Sequence, residues 1–462
     1  MKYVSTRGQA EPLNFTDAGL GGLATDGGLL VPEALPDLSG ELDRLAELSY
    51  ADLAFEVFLR FTDIPEAELR GLVDRAYATF RHPDTAPTVP LGDRFVLELF
   101  HGPTLAFKDM AMQFLAQFFE YALEQRDERL NILGSTSGDT GSAAIHGVRG
   151  KSRINIFMMH PEGRTSPVQA LQMTSVLDPN VFNLAIDGTF DDCQRIMKTL
   201  FADVPFKQAY QLGAVNSVNW IRVMAQIVYY LYSGLRTLRA ENASAVQFSV
   251  PTGNFGNILA GYYAAQMGLP VSRLILATNE NDILARFIQT GVYEQGSVAH
   301  TISPSMDIQV ASNFERFLYA LLGSDPVATC EAMGAFNASG RLDLQAHHGA
   351  HPALKLFAAR QIDTERTLAT IREADTAHGM VLDPHTAVGV AAGDDLRLPG
   401  DPLVCLATAH PAKFTDAIVK AIGREPHHPV LDALADAETR CERMANDVEA
   451  VRTYLIQTLV SR

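Results

Sequence analysis

One lysine stands where a nucleophilic amine would be useful. Lys108 lies at the junction of a loop and a helix within Phe100 to Arg126, FHGPTLAFKDMAMQFLAQFFEYALEQR. His101-Gly102-Pro103-Thr104 reads as a turn, punctuated by Gly and Pro. From Phe107 on, apolar residues recur at 107, 110, 111, 114, 115, 118 and 122. That is the rhythm of a helix turning one face to a core. Lys108 is therefore expected in the first turn, near the positive end of the helix dipole and beside bulky apolar neighbours. Both features disfavour the ammonium form. An activated lysine suits Schiff-base chemistry with a carbonyl cofactor. Taken alone, the same lysine reads better as an ordinary solvated first-turn residue. Two glycine-rich loops further on make the chemical reading the better one.

The first is Gly134-STSGDTGSAAIHGV, which follows a short apolar run at 129–133. Its glycines bring backbone N–H groups close to a ligand, and a helix starting near Thr140 points its N-terminus at the same place. That combination suits a carboxylate or a phosphate. A plain helix cap by Ser137 or Asp139 needs only one such residue. The density of polar residues here exceeds that need.

The second is Ser249-VPTGNFGNILAGYYAAQMG. A strand over 246–250 runs into Gly253-Asn254-Phe255-Gly256-Asn257 and then into a helix. The glycines let the backbone fold round a small anion, and Asn254 and Asn257 add amide donors. The loop is neither a Walker loop nor a full GxGxxG. A phosphate monoester of a cofactor fits its size.

Two further segments are chemically suggestive. In Val215-NSVNWIRVMAQ, Ser217, Asn219 and Arg222 could clamp an oxyanion. Pairing of Arg222 with a surface carboxylate fits the same spacing. In Leu406-ATAHPAKF, Thr408 follows an apolar run and could hydrogen-bond a ring nitrogen without protonating it. His410 and Lys413 read as structural or solvated. Asp383-PHTAVGVAAG reads as a capped, glycine-spaced helix in which His385 has a weak claim on chemistry.

Positioning these groups requires strands that end at the loops. Short runs rich in Val, Ile and Leu occur at Phe95-VLELF, Arg129-LNIL, Arg153-INIFMM, Val246-QFSV, Arg273-LILAT and Leu403-VCLAT. Each is expected to lead into a loop with Gly, Ser, Thr or Asn and then a helix, the rhythm of parallel sheets covered by helices. Ligands in such folds sit at the carboxyl ends of the strands. Residues 1–90 are expected to form a mostly helical N-terminal domain, with helices after Ser49 and near Pro65 and a boundary at Pro83, Pro87 and Pro90. Residues 91–462 form the catalytic region. Leu431 to Arg462 is expected as one or two polar-faced helices.

The length of 462 residues implies two or three structural units. The net charge of −17 disfavours nucleic acid and anionic membrane as partners. Cys193, Cys330, Cys405 and Cys441 are widely spaced, so no zinc cluster or other metal site is expected. MKYVSTRGQAEP has no apolar signal region, and no apolar run is long enough to span a bilayer. A reducing cytoplasm fits these features.

The chain resembles the threonine synthase family of pyridoxal-phosphate (PLP) enzymes, in its longer form with an extra N-terminal domain. The resemblance rests on MKYVSTRG, FHGPTLAFKD, GSTSGDTGSAA, DGTFDDCQ, NSVNWIR, PTGNFGN, SPSMDIQVASNFER and ATAHPAKF, spread over nearly the whole chain. It implies fold type II of PLP enzymes and a smaller mobile domain at about 130–215. It further implies that Lys108 holds PLP as a Schiff base and acts as the mobile acid and base. Gly253, Asn254, Phe255, Gly256 and Asn257 would cradle the cofactor phosphate, and Thr408 would face the pyridine nitrogen. Thr136, Ser137 and Thr140 would hold the substrate carboxylate, with Asp139 serving loop geometry or the cofactor's ring oxygen. Ser217 and Arg222 would grip a substrate phosphate.

The expected activity is conversion of O-phospho-L-homoserine and water to L-threonine and phosphate, by a monomer or a small homo-oligomer. The alternatives are a phospho-lyase or a threonine or serine dehydratase. A catalytically silent metabolite sensor on the same fold is disfavoured by the intact Lys108, Thr408 and GNFGN.

Overall fold

The computed structural model describes residues 1–136, 138–348 and 351–460. The chain divides into two compact units, one of residues 1–111 and 217–426, the other of residues 112–216 and 427–462.

The larger unit is built on a six-stranded sheet. Its order is Phe357–Gln361, Val271–Thr278, Val246–Pro251, Leu403–Ala407, Arg94–Glu98 and Thr88–Leu91. Every pairing is parallel except that of Thr88–Leu91 with Arg94–Glu98. The two central strands, Val246–Pro251 and Leu403–Ala407, are buried along their whole length. Leu403–Ala407 is accordingly a continuous apolar run, as a sheet covered on both faces demands, while Val246–Pro251 buries Gln247 and Ser249 by bonding them to the Leu398, Asp401 and Gly389 carbonyls. One face packs on the helices Thr364–His378, Pro384–Leu396 and Thr415–Ile422 through Val96, Ile275, Ile371, Val388, Val390, Cys405 and Ile418. The helix Pro384–Leu396 comes unusually close. A Cβ at Gly389 would lie 2.9 Å from the Pro251 ring, so only glycine permits this approach.

Residues 1–90, expected as a domain of their own, share this unit's core. Tyr3 donates its hydroxyl to the Phe61 carbonyl at 2.7 Å, and both rings lie against Trp220. Thr6 and Arg7 bond Glu315, and Arg316 donates to the Leu30 carbonyl. The helices Tyr50–Leu59 and Glu66–Tyr77 form as the sequence suggests, the first capped by Ser49 through the Asp52 N–H. Pro65 takes the cap position instead of the first turn.

The smaller unit has a five-stranded, all-parallel sheet in the order Glu442–Met444, Val181–Ile186, Ile154–Pro161, Leu130–Ser135, Leu212–Gly213. Its core joins Leu133, Phe157, Met159, Leu184 and Ile186 to Ile196 and Leu200 of the helix Phe190–Ala202 and to Val451 and Leu455 of the helix Val448–Val460. The terminal stretch is thus more than polar-faced helix. It adds an edge strand, and its last helix buries an apolar stripe. Among the described residues, no helix is long and apolar enough to cross a membrane.

Candidate active site

In the larger sheet, the loops that follow Val246–Pro251, Leu403–Ala407 and Arg94–Glu98 emerge at the carboxyl edge of neighbouring strands. They carry Gly253–Asn257, Thr408 and Lys108. The alternation of strand and helix therefore places three of the groups expected from sequence on one edge.

Lys108 does not sit inside the first turn. The helix is Asp109–Arg126, and Lys108 directly precedes it. The reason is a backbone bridge. Ala106 pairs antiparallel with Ala409, Phe107 donates its N–H to the Thr408 carbonyl at 2.8 Å, and His410 donates to the Leu105 carbonyl at 3.0 Å. Leu105 takes a φ of 59° to enter this bridge. The chain is committed to pairing until Phe107 and can turn helical only afterwards. Lys108 is half-buried, with its Nζ 4.9 Å from the Phe107 ring centroid.

Asp109 pins the loop from below. Its carboxylate accepts from the Thr104 N–H and hydroxyl, both at 2.8 Å. Full burial pushes this acid up to about 6. Lys413, expected as structural or solvated, is 2% exposed and donates to the Thr104 carbonyl at 2.7 Å. It is a buried brace for the lysine loop.

In the Gly253–Asn257 loop the residues divide their work. A Cβ at Gly253 would lie 2.6 Å from the Ser305 carbonyl oxygen, so the position admits glycine alone. Phe255 holds a left-handed φ of 64°, which costs a non-glycine residue energy. Its ring is anchored among Phe314, Phe317 and Phe357, and its N–H bonds the Gly253 carbonyl at 2.8 Å. Phe255 therefore shapes the loop and spends its own N–H doing so. Gly256 opens the helix Gly256–Gln266 without a side-chain cap, and the first turn of a helix leaves N–H groups available to an anion. Asn257 accepts from the Tyr229 and Tyr230 hydroxyls at 2.6 and 2.9 Å, which leaves Nδ2 buried without a partner. Asn254 is exposed, and its carbonyl receives Asn313.

Arg222 also carries unsatisfied atoms. It is 6% exposed, and Nε and Nη1 are buried without hydrogen-bond partners. Desolvation pushes the guanidinium down to about 10, so it stays a cation at neutral pH. No carboxylate pairs with it among the described residues, which removes the surface ion-pair reading. Ser217 shares a 2.6 Å hydrogen bond with the Ser312 hydroxyl. Asn313 ties the Ser217 carbonyl to that of Asn254. The 217–222 segment and the glycine loop are thus held together by one asparagine.

In the smaller unit, Thr136, Asp139 and Thr140 lie at the carboxyl end of Leu130–Ser135 and the start of the helix Asp139–Val148. Ser137 falls outside the described residues. Gly138 occupies the cap position and offers no side chain. The Thr136 hydroxyl accepts from the N–H groups of Gly138 and Gly141, both at 3.0 Å, so its first duty is to fold the loop. Asp139 is buried and accepts from Gln169 at 2.8 Å.

Spacing gives little weight to the start of the helix Pro384–Leu396, yet Asp383, His385 and Thr386 form a buried hydrogen-bonded cluster there, ending at the Thr408 N–H. Nor does it single out Ser305, which closes over Gly253. The segment that carries Ser305 is fixed by Asn279, which donates to Asp307 at 2.7 Å and to Thr301 at 2.8 Å. These are ordinary polar residues whose importance lies only in what the fold places beside them.

Comparison with known proteins agrees with this geometry. The family model for the threonine synthase N terminus matches residues 2–77. That for pyridoxal-phosphate-dependent enzymes matches 91–353, and that for the threonine synthase C-terminal region matches 386–455. A threonine synthase of Pseudomonas aeruginosa is 48% identical, over 99% of this chain and 98% of its own. The crystal structure of a PLP-bound threonine synthase from Brucella melitensis superposes with a TM-score of 0.95 at 46% identity, covering 99% of each chain. The yeast enzyme does so at 0.94 and 39%, over 100% of this chain and 99% of its own.

The fold is that of a fold type II PLP enzyme. The residues present fit the cofactor: a glycine that a Cβ would block, a helix start, and a buried amide donor without a partner suit its phosphate. Domain models along most of the chain and full-length relatives at this identity leave one assignment: the chain belongs to the threonine synthase family of pyridoxal-phosphate-dependent enzymes.

Proposed function

We propose that this protein converts O-phospho-L-homoserine and water to L-threonine and phosphate, with Lys108 as the amine that carries the cofactor. The observation that supports a phosphorylated substrate is Arg222. A buried cation without a counter-charge is costly unless an anion completes it. The glycine loop already offers a place for the cofactor phosphate, so Arg222 with Ser217 is left for the phosphate of the substrate.

Bound pyridoxal phosphate withdraws electrons from the amino acid's carbon chain. The protein's residues do the rest. Lys108 Nζ takes the α proton and moves protons along the chain. A second proton leaves Cβ, and Arg222 and Ser217 hold the phosphate as its bond to Cγ breaks. The hydroxyl of water becomes bonded at Cβ, and protons return to Cγ and Cα. Gly253, Asn254, Gly256 and Asn257 hold the cofactor phosphate, with Phe255 as the loop's anchor. The Thr408 hydroxyl meets the ring nitrogen without charging it, which moderates electron withdrawal. The loop of Thr136, Ser137 and Thr140 takes the substrate carboxylate, and Asp139 orders that loop. The acidic chain and its free cysteines support work in a reducing cytoplasm.

The test is product analysis with purified holoenzyme and O-phospho-L-homoserine, measuring phosphate, threonine and 2-oxobutyrate together. Equal phosphate and threonine is the expected result. Phosphate with 2-oxobutyrate would make the protein a phospho-lyase. No phosphate would favour a dehydratase and return Arg222 to a structural role.

A further inference from the structure

Behind the strand edge of the larger unit, two arms of hydrogen bonds, one from Ser305 and one from Thr408, converge on the Asp383 carboxylate. Ser305 donates its N–H to His385 Nε2 at 3.2 Å. His385 Nδ1 lies 2.8 Å from Asp383 Oδ1. Because Nε2 accepts and a carboxylate only accepts, the proton sits on Nδ1, which donates to Asp383. Thr386 donates its hydroxyl to Asp383 Oδ2, so its oxygen has only lone pairs left to offer. It uses one on the Thr408 N–H at 3.2 Å. Asp383, His385 and Thr386 are 1%, 3% and 1% exposed, so water does not compete for these bonds. One arm begins at Ser305, whose carbonyl fills the space a Cβ at Gly253 would need. The other begins at Thr408, whose carbonyl receives the Phe107 N–H beside Lys108.

We propose that Asp383, His385 and Thr386 are positioning residues that set Thr408, and through it Lys108, in register with the phosphate loop. Asp383 is the centre: it orients His385 toward Ser305 on one side and the Thr386 hydroxyl on the other. It also caps the helix through the N–H groups of His385 and Thr386, which locks all three residues to one frame. None of them is assigned to substrate or cofactor. Their effect is to fix a backbone position from which the Thr408 hydroxyl meets the ring nitrogen. The inference rests on the reading of Thr408 given above.

The experiment compares holoenzymes of Thr386→Val, Thr386→Ser and Thr408→Val by the absorption spectrum of the bound cofactor, kcat and KM. Thr386→Val keeps the shape and loses the hydroxyl, leaving the Thr408 N–H without its acceptor. It is expected to shift the cofactor's visible band and to lower kcat about ten-fold, the scale set by misplacing a reacting group, with KM changed less than about two-fold since no substrate contact is touched. Thr386→Ser restores the hydroxyl and should restore both spectrum and kcat. A Thr386→Val enzyme with the parent's spectrum and kcat overturns the proposal. So does a Thr386→Ser enzyme as impaired as the valine variant, because packing of the methyl group would then explain the loss. Should Thr386→Val yield no folded holoenzyme, His385→Gln decides in the same way: it can still accept from Ser305 but loses the ring donor to Asp383. Thr408→Val separates the levels. A spectral change there with none in Thr386→Val rejects the relay alone, and no change in Thr408→Val rejects the reading of Thr408 and the relay with it.

Discussion

The Phe107 N–H and the Thr408 carbonyl are 2.8 Å apart, which joins the residue before Lys108 to the residue proposed to face the cofactor ring. The bond is backbone to backbone, and the bridge between Ala106 and Ala409 flanks it. The spacing of the two groups is therefore set by main chain, so a side-chain change at one leaves the other in place.

The Lys108→Ala variant follows from that arrangement. The bridge needs no lysine side chain, so the variant should fold and melt like the parent. It should lose the visible absorbance of the cofactor's link to lysine, and turnover should fall by about a thousand-fold or more, the scale of removing a positioned acid and base. Spectra and single-substrate kinetics check both. A parent-like spectrum would rule Lys108 out.

Arg222→Met removes a buried cation and keeps the volume. The KM for O-phospho-L-homoserine should rise about ten- to a hundred-fold, the range for losing hydrogen bonds to a charged group. Stability without substrate should be unchanged or higher, since an uncompensated buried charge disappears. Thermal melts with and without inorganic phosphate read the second part. A variant that is both less stable and unaltered in KM would mean that Arg222 serves packing.

Gly253→Ala tests the phosphate loop. The added Cβ meets the Ser305 carbonyl at 2.6 Å, and that oxygen belongs to a segment tied down by Asn279 and Asp307. Relief by movement is therefore hindered, and a stability loss of about 1–3 kcal/mol is expected, as for overpacking. Cofactor titration should show weaker PLP binding. Unchanged binding would place the phosphate elsewhere.

The parts of this molecule that are legible in its sequence are those with a local cause. Leu403–Ala407 is buried on both faces, so its sequence is an unbroken apolar run, and Val246–Pro251 departs from one only at Gln247 and Ser249, whose side chains are buried by bonding the Leu398, Asp401 and Gly389 carbonyls. Ser49 announces its helix because a cap needs a hydroxyl there. Glu442–Met444 is not legible: Glu-Arg-Met becomes a strand only because Leu184–Ile186 leaves an edge open to it. Val181–Ile186 hides behind Asn183, a polar residue that the fold buries by giving its amide the Met173 carbonyl. In the site, Lys108 and the glycine loop have compositional signatures. Asp383 and Thr386 look like a helix cap until the strand at Leu403–Ala407 brings the Thr408 N–H to them. The unpartnered atoms of Arg222 and Asn257 are a property of three-dimensional surroundings, which spacing does not encode.

Asp109 supplies a pH dependence whose sign can be worked out. Burial raises this acid from 3.8 to about 6 in the folded protein, against the opposing hydrogen bonds from Thr104 and the charge of Lys413. Between those two values the folded state holds a proton that the unfolded chain has released, so stability falls as pH rises through this window. The contribution is complete above pH 6 and amounts to about 3 kcal/mol of destabilisation, at about 1.4 kcal/mol for each pH unit between the two values. Asp109→Asn removes the titration while keeping an oxygen to accept from the Thr104 N–H. Relative to the parent, the variant should therefore gain stability as pH is raised from 4 to 7, by up to about 3 kcal/mol. Denaturant unfolding of both proteins at pH 4, 5, 6 and 7 measures the difference directly. A gap that stays constant across the series would show that Asp109 is ionised throughout, and that the lysine loop is braced by a charged Asp109 beside Lys413.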